Sequence, residues 1–325
     1  MIRDIIENLP LSANIRLKMF NSLRRFEWKR KLDKVEYQKR VNRQTFIPSN
    51  SYYGHEYWLK RYSNYYEDIY GLIEHGLYFG EDESKVGFKT EWEIGNIITY
   101  GDYRAQLLRR LYPNFNIETI GPRIHYADID MDYYNELKSK IDVTKKTMTI
   151  FPAHSLAGEQ AYYAIDKLIS NVKEISDSLG ITNLLISLHP ADLIHGLQSE
   201  FEKRNLVVVS SGTDEYSFLP RQKAIYKISD LTYSNSLGTH IGYSIYMRTP
   251  HILKPETMIL RPESDMLSKT FYREEADFAK MFSGTSDPFK ITSEQLDFYD
   301  YYFGEKCIKS PEDLNKMLER CKRTF

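Results

Sequence analysis

The chain has 325 residues, 42% of them hydrophobic and 27% charged, with a formal net charge of −1 and two cysteines. This length and composition suit two globular domains, and the near-zero charge excludes the basic footprint that nucleic-acid binding would place over the whole molecule. No stretch approaches the roughly 20 apolar residues of a membrane span, no signal-peptide core begins the chain, and two cysteines cannot form a disulfide framework, so we expect a cytoplasmic protein.

Residues 1–44 are predicted to form a basic helical segment. Between Arg16 and Arg43 stand eleven lysines and arginines but only three acidic residues, so the local net charge is +8. Apolar residues recur among them at helical spacing, from Ile15 to Phe26. Two interpretations stay open: residues 16–43 touch the inner face of an anionic membrane, or they form a helical hairpin that packs on the first domain.

Residues 45–127 are predicted to form a small α/β domain. Short apolar runs at 70–79, 96–100 and 117–120 indicate strands, and the stretch 103–111 indicates a helix between the last two. Alternation of strands and helices favours a parallel sheet.

The polar stretch 125–146 is expected to link the two domains. Its three aspartates, Asp128, Asp130 and Asp132, have the alternate spacing of metal ligands. The glycine and closing glutamate of a calcium loop are absent, so a solvated linker is the favoured interpretation.

Residues 145–255 are predicted to form a doubly wound, Rossmann-like domain, because five apolar runs alternate with four helical patterns. The strands are expected at 147–151, 184–188, 206–209, 231–233 and 250–253, and the helices at 158–179, 190–201, 216–228 and 238–247. Residues 256–325 are predicted to form a helical tail, with a final helix at 311–322 that begins after the N-cap Ser310.

Ligands of open parallel sheets bind at the carboxyl ends of the strands, where loops and helix N-termini present free N–H groups. This rule selects candidate ligand-binding residues without reference to any family. In the second domain the residues selected are His154, Ser155, His189, Pro190, Ser211, Ser234, Asn235, Ser236, Gly238 and Thr239.

His189 and the turn at 234–239 carry the strongest signal. His189 directly follows a buried strand and precedes a proline, and an imidazole there can donate to a phosphate oxygen. Small hydroxyl side chains before a helix start suit a phosphate or diphosphate. The structural alternatives are a strand-end hydrogen bond for the histidine and an ordinary capping turn for 234–239.

Glu74 and His75 precede Gly76 at the end of a predicted strand in the first domain, and either side chain could deprotonate an acceptor hydroxyl. The remaining histidines are expected to be structural, and the set does not have zinc-ligand spacing. We therefore predict neither a metal nor a cofactor. The histidines expected to be structural are His55, His125, His195, His240 and His251.

The order of these features resembles that of GT-B glycosyltransferases. The resemblance is carried by His-Gly at 75–76, Gly-Pro-Arg at 121–123, His-Pro at 189–190 and the serine-containing segment 229–238. It is nearest to the CDP-glycerol glycerophosphotransferase branch and to bacterial capsule sialyl- and Kdo-type transferases. The chain departs from that branch at Glu74, where an aromatic residue is usual.

The resemblance implies two Rossmann-like domains with parallel sheets facing across a cleft. It implies that His189, Ser234 and Ser236 contact the phosphates of a nucleotide-sugar or CDP-polyol donor, while Glu74 or His75 acts as base. The implied function is metal-independent transfer of the sugar or polyol phosphate onto a surface polysaccharide or lipid-linked glycan precursor. UDP-sugar 2-epimerases share this architecture and are the alternative. A non-catalytic module recruited to the membrane is a further alternative.

Overall fold

The computed structural model describes residues 47–80, 95–155, 160–212, 216–261, 269–284 and 287–324. The predicted basic segment at 16–43 lies outside these residues, so its helicity and its membrane contact stay predictions. Within the described ranges, no helix is both long enough and apolar enough to cross a membrane.

The first sheet has three parallel strands in the order β1-β2-β3, namely β1 (Leu72–Ile73), β2 (Asn96–Thr99) and β3 (Asn116–Thr119). Helix α1 (His55–Ser63) precedes the sheet, and α2 (Asp102–Leu111) connects β2 to β3. A parallel connection needs such a crossover, because the chain must return to the starting edge. The predicted parallel α/β character of this region is confirmed.

The polar stretch after the first sheet, which is predicted to link the two domains, contains helix α3 (Met131–Ser139). Asp130 caps this helix by accepting a hydrogen bond from the backbone N–H of Tyr133 at 2.8 Å. Asp132 stands in its first turn, where a negative charge is favourable, and Asp128 pairs with Arg61.

The second half of the chain supplies seven more strands and eight helices among the described residues. The strands are β4 (Thr147–Phe151), β5 (Gln160–Tyr162), β6 (Asn183–Ser187), β7 (Val207–Val209), β8 (Leu231–Ser234), β9 (His251–Leu253) and β10 (Ile259–Arg261). The helices are α4 (Ile165–Leu179), α5 (Pro190–Ile194), α6 (Leu197–Glu202), α7 (Phe218–Ile228), α8 (Thr239–Tyr246), α9 (Lys269–Phe282), α10 (Ser293–Phe303) and α11 (Pro311–Arg323).

The second sheet is parallel throughout, with the order β7-β6-β4-β8-β9. The chain moves outward from β4 through β6 to β7, then returns to the other side of β4 for β8 and β9. Such a reversal of strand order opens a crevice at the carboxyl ends of the strands. The predicted doubly wound domain is confirmed, and each of its five predicted strands lies within two residues of its expected position.

The long helix predicted at 158–179 is wrong at its start. Residues 160–162 form β5, which pairs antiparallel with β10 so that Tyr162 faces Ile259, and α4 begins only at Ile165. The partner strand lies almost a hundred residues further along the chain, so no local pattern could reveal the pairing.

The predicted helical tail packs on both sheets. In α11, Leu314, Met317 and Leu318 are fully buried in the core of the first sheet. At the end of α10, Phe303 packs so closely over Gly242 of α8 that a Cβ there would lie 2.2 Å from its ring. The tail therefore contributes to the contact between the two sheets.

Candidate functional site

A cavity of about 610 Å³ lies between the two domains. One wall is formed by the loop after β1, and the other by the loops after β4, β6, β7 and β8. The cavity therefore occupies the carboxyl-end crevice that the strand order creates.

His189 lies on this cavity at the end of β6, where it is the N-cap residue of α5. Its Nδ1 accepts a hydrogen bond from the backbone N–H of Ala191 at 3.2 Å. In the neutral imidazole the ring proton must then be on Nε2, which stands 3.5 Å from the hydroxyl of Tyr53. The imidazole therefore presents an N–H donor on the side away from its own helix.

His154, after β4, also lines the cavity, and its ring stacks on that of His189 with centroids 4.9 Å apart and planes inclined by 25°. Its Nδ1–H donates to the carbonyl oxygen of Ser155 at 3.0 Å. The stack places two imidazole rings side by side on the cavity.

The start of α8 forms the adjoining part of the wall, with Ser236, Gly238 and Thr239 on the cavity. A Cβ on Gly238 would lie 2.8 Å from the ring of His240, so this position requires glycine. The hydroxyl of Thr239 accepts the backbone N–H of Leu77 at 2.9 Å, which joins the two domains beside the cavity.

Three predicted donor-binding residues are not among the described residues that line the cavity. Ser155 accepts the backbone N–H of Ala161 with its hydroxyl, and Ser234 is hydrogen-bonded to His251. The Oδ1 of Asn235 accepts the N–H of Ala153 at 2.7 Å. These side chains hold neighbouring loops together, and Pro190 and Ser211 do line the cavity with His189.

Glu74 and His75 are neighbours in sequence but face different surroundings. Glu74 is fully buried, pairs with Arg104 at 2.7 Å and accepts the hydroxyl of Thr99 at 2.7 Å. His75 lines the cavity, with its Nδ1 3.3 Å from the hydroxyl of Tyr78. Of the two alternatives for the base, only the imidazole is on the cavity.

Arg123, the last residue of the Gly-Pro-Arg motif, explains how this loop is held. Its guanidinium donates to the carbonyl oxygens of Glu74, Ile98, Thr99 and Gly121 at 2.8–3.3 Å. One buried cation therefore joins the carboxyl ends of β1 and β2 to the chain after β3, and so fixes the position of His75.

His240 was expected to be structural, but it lines the cavity. Its ring is stacked on Phe151, with centroids 5.5 Å apart and planes inclined by 13°. Burial lowers the pKa of His240 to about 3, so this imidazole is neutral at physiological pH. His195, by contrast, is exposed, and His251 is buried between the hydroxyls of Thr232 and Ser234.

Sequence reasoning missed Tyr53, Gln222 and Glu275, which all line the cavity. Gln222 shares one face of α7 with Phe218 and Tyr226, a spacing visible in the sequence but typical of any amphipathic helix. The Oε1 of Gln222 and the hydroxyl of Ser211 are buried and have no hydrogen-bond partner within the described ranges. Buried polar atoms of this kind are usually satisfied by water or a ligand.

Among the described residues, no group of three or more His, Cys, Asp or Glu side chains is arranged to hold a metal ion.

No family model and no curated protein matches the sequence. Solved structures to which the chain is similar include the sucrose-phosphate synthase of Thermosynechococcus elongatus, with 13% identity and a TM-score of 0.36 over 83% of this chain and 70% of that one. The wall teichoic acid polymerase TagF has 13% identity and a TM-score of 0.43 over 77% and 66%. The UDP-GlcNAc 2-epimerase of Neisseria meningitidis, bound to UDP-GlcNAc, has 16% identity and a TM-score of 0.38 over 83% and 72%.

Identities this low and TM-scores below 0.5 carry no argument about substrate or activity, so the function must be inferred from the cavity. These similarities are likenesses of fold alone.

Proposed function

We propose that this protein transfers a sugar or polyol phosphate from a nucleotide-activated donor to a hydroxyl group of a surface polysaccharide or lipid-linked glycan precursor. One observation carries the proposal: His189 and the start of α8 line the cavity from the second domain, and His75 lines the same cavity from the first. An anion-binding wall that faces a general base is the arrangement that group transfer from a phosphate-linked donor requires.

The donor phosphates bind at the second domain in this proposal. The Nε2–H of His189 and the backbone N–H groups at the start of α8, which both line the cavity, supply the hydrogen-bond donors. They are fixed before the ligand arrives, so they stabilise negative charge without further reorganisation. Ser155, Ser234 and Asn235 then act as positioning residues that hold the loops carrying these donors.

The acceptor binds on the side of His75. The acceptor hydroxyl gives its proton to the imidazole, and its oxygen forms a bond to the donor carbon, or to phosphorus where a polyol phosphate is transferred. The bond to the nucleotide phosphate breaks, and its electron pair stays on the departing phosphate oxygen. His189 stabilises that developing charge, a contribution of the kind that is worth several kcal/mol in other enzymes.

The proposal includes no cofactor and no metal, because protein donors neutralise the phosphate charge. Glu256 and Glu275 are the carboxylates on the cavity. The Oε1 of Glu256 accepts from the amide of Asn171 at 2.7 Å, while its Oε2 has no partner within the described ranges, and the Oε1 of Glu275 accepts the N–H of Leu237 at 3.2 Å. We expect turnover to persist in excess EDTA. Loss of turnover that Mg²⁺ restores would contradict this part of the proposal.

A thermal-shift panel of CMP, CDP, UDP and GDP tests the donor site. The nucleotide that fits should stabilise the protein, by about 2.7 kcal/mol at a hundred times its Kd, because it binds only the folded state. His189→Ala should reduce this shift and lower kcat by about 10²-fold. His195→Ala is the matched control, since His195 is exposed at the other end of the same helix.

The outcomes separate the three functions. Turnover that requires an acceptor supports a transferase, whereas conversion of a UDP-sugar without any acceptor would indicate a 2-epimerase. If none of the four nucleotides stabilises the protein, the proposed transferase function is contradicted. The remaining alternative is then a non-catalytic module.

A further inference from the structure

Tyr53 stands in an unusual backbone conformation at the edge of the cavity. It has φ 56° and ψ 14°, in the left-handed region that bulky residues rarely adopt, and Gly54 follows with φ 76°. Such conformations cost free energy and persist only where the surrounding structure enforces them, which is most often at functional sites.

The turn that holds Tyr53 is fixed to the first sheet by a buried side chain. Asn50 donates from its amide to the carbonyl oxygen of Gly71 at 2.9 Å and accepts the N–H of Ile73 at 2.8 Å. Asn50 is fully buried, so both hydrogen bonds are shielded from water. These two hydrogen bonds therefore hold the turn that contains Tyr53 in a fixed position relative to β1.

The side chain of Tyr53 reaches from the first domain to the second. Its hydroxyl lies 3.5 Å from Nε2 of His189, and its ring centroid lies 4.3 Å from that of Phe218 in α7. On its own domain the ring stands 5.8 Å from His75. One residue thus contacts both histidines to which the proposed reaction assigns roles.

The hydrogen bonds of His189 define which atom donates. Because Nδ1 accepts from the backbone of Ala191, Nε2 carries the proton and donates toward the oxygen of Tyr53. A tyrosine hydroxyl carries a proton of its own, so it can also donate to an anion. Two donors about one hydrogen-bond length apart can both reach a single anionic oxygen.

We propose that Tyr53 is a ligand of the donor phosphate supplied by the first domain, and that its hydroxyl binds the same anionic group as Nε2–H of His189. This inference rests on the proposed function. The phosphate site in the second domain is then complete only while the first domain is docked against it. Donor binding therefore stabilises the docked arrangement that also brings His75 to the cavity.

The test compares Tyr53→Phe with the unaltered protein, using CDP, UDP and their nucleosides cytidine and uridine as probes in calorimetric titrations. Phenylalanine keeps the ring contacts to Phe218 and His75 and removes only the hydroxyl. We expect the nucleoside diphosphate that binds best to lose about tenfold in affinity, since a hydrogen bond to a charged group is removed, while its nucleoside is unaffected. Tyr62→Phe is the control, because its hydroxyl also meets a histidine, His125 at 3.2 Å, away from the cavity.

A double-mutant cycle with His189→Ala then tests whether the two groups share one anion. The double variant should lose less affinity than the product of the two single losses, because each single change already weakens the same contact. Equal binding by Tyr53→Phe, equal weakening of nucleoside and diphosphate, or purely multiplicative losses would overturn the inference. If the unaltered protein binds no nucleotide, the proposed function itself fails, which is a different result.

Discussion

The two walls of the cavity hold their polar groups in opposite ways. In the second domain, donors and acceptors stand on the cavity surface, with His189 and His154 stacked and the hydroxyl of Ser211 without a partner in the described part of the chain. In the first domain, the strongest charges lie beneath the surface, where Glu74 pairs with Arg104. Above that buried layer, the described residues of the first domain that line the cavity include His75 and Tyr53.

This difference separates two tasks. A surface rich in fixed donors suits a multiply charged ligand such as a diphosphate. A single imidazole held by a rigid buried network suits a general base, because the base must stand at a precise distance from the hydroxyl that it deprotonates. The comparison therefore predicts that changes at His75 and its buried support affect the rate or the stability, whereas changes at the proposed phosphate ligands, Tyr53 and His189, weaken nucleotide binding.

The largest effect is expected from His75→Ala. Removing a general base should lower kcat by about 10²- to 10⁴-fold. The Kd for the nucleotide should stay unchanged, because His75 is not among the groups proposed to bind the donor phosphates. Single-turnover kinetics with titrated donor binding would measure both quantities. An unchanged kcat would show that the two walls do not divide the tasks in this way.

A large loss of stability is expected from Glu74→Gln. The substitution leaves Arg104 as a buried cation without its carboxylate partner, which should cost about 3–5 kcal/mol. Urea unfolding followed by circular dichroism would give the difference. Lys140→Ala, which breaks the exposed pair with Glu136, is the control and should cost less than about 1 kcal/mol. A small effect at Glu74 would mean that water reaches the pair.

A pH-dependent effect is expected from His240. Its pKa is about 3 in the folded protein and 6.5 in the reference state, so the unfolded chain binds the proton first as the pH falls. Its contribution to stability is complete above pH 6.5 and declines by about 1.4 kcal/mol per pH unit between 6.5 and 3. His240→Phe keeps the stacking on Phe151 and should make unfolding free energies at pH 5 and 7.5 more alike. An unaltered pH dependence would show that the ring is solvated.

The smallest effect is expected from Thr239→Val, which preserves the side-chain shape but leaves the N–H of Leu77 without its acceptor. The loss should be about 0.5–1.5 kcal/mol, the usual contribution of one neutral hydrogen bond. Because the bond joins the two walls, both kcat and the nucleotide Kd should change slightly. Differential scanning calorimetry would measure the loss of stability, and steady-state kinetics on the same preparation would measure the change in kcat. Changes in both would show that this hydrogen bond couples the two domains.

Much of the second domain could be predicted from residue patterns. Strand β6 contains a run of three apolar residues and β8 is buried at all four positions, as expected for strands covered on both faces, and helices separate the strands. The position of His189 at a strand end followed from Pro190 alone, since proline excludes the helical conformation for the preceding residue. The residue types alone could not show which strand-end residues line the cavity. Ser234 and Asn235 are polar residues like those on the cavity, but their side chains hold neighbouring loops together.

What the sequence determined by itself was local: the alternation of strands and helices, the start of α11 at Ser310 and Pro311, and the chemistry available at each strand end. The tertiary structure decided which side chains meet. The pairing of β5 with β10, the burial of Glu74 against Arg104 and the contact of Tyr53 with His189 join residues 30 to 136 positions apart. Contacts at such separations leave no periodic signal, because they depend on how whole elements pack rather than on the spacing of neighbouring residues.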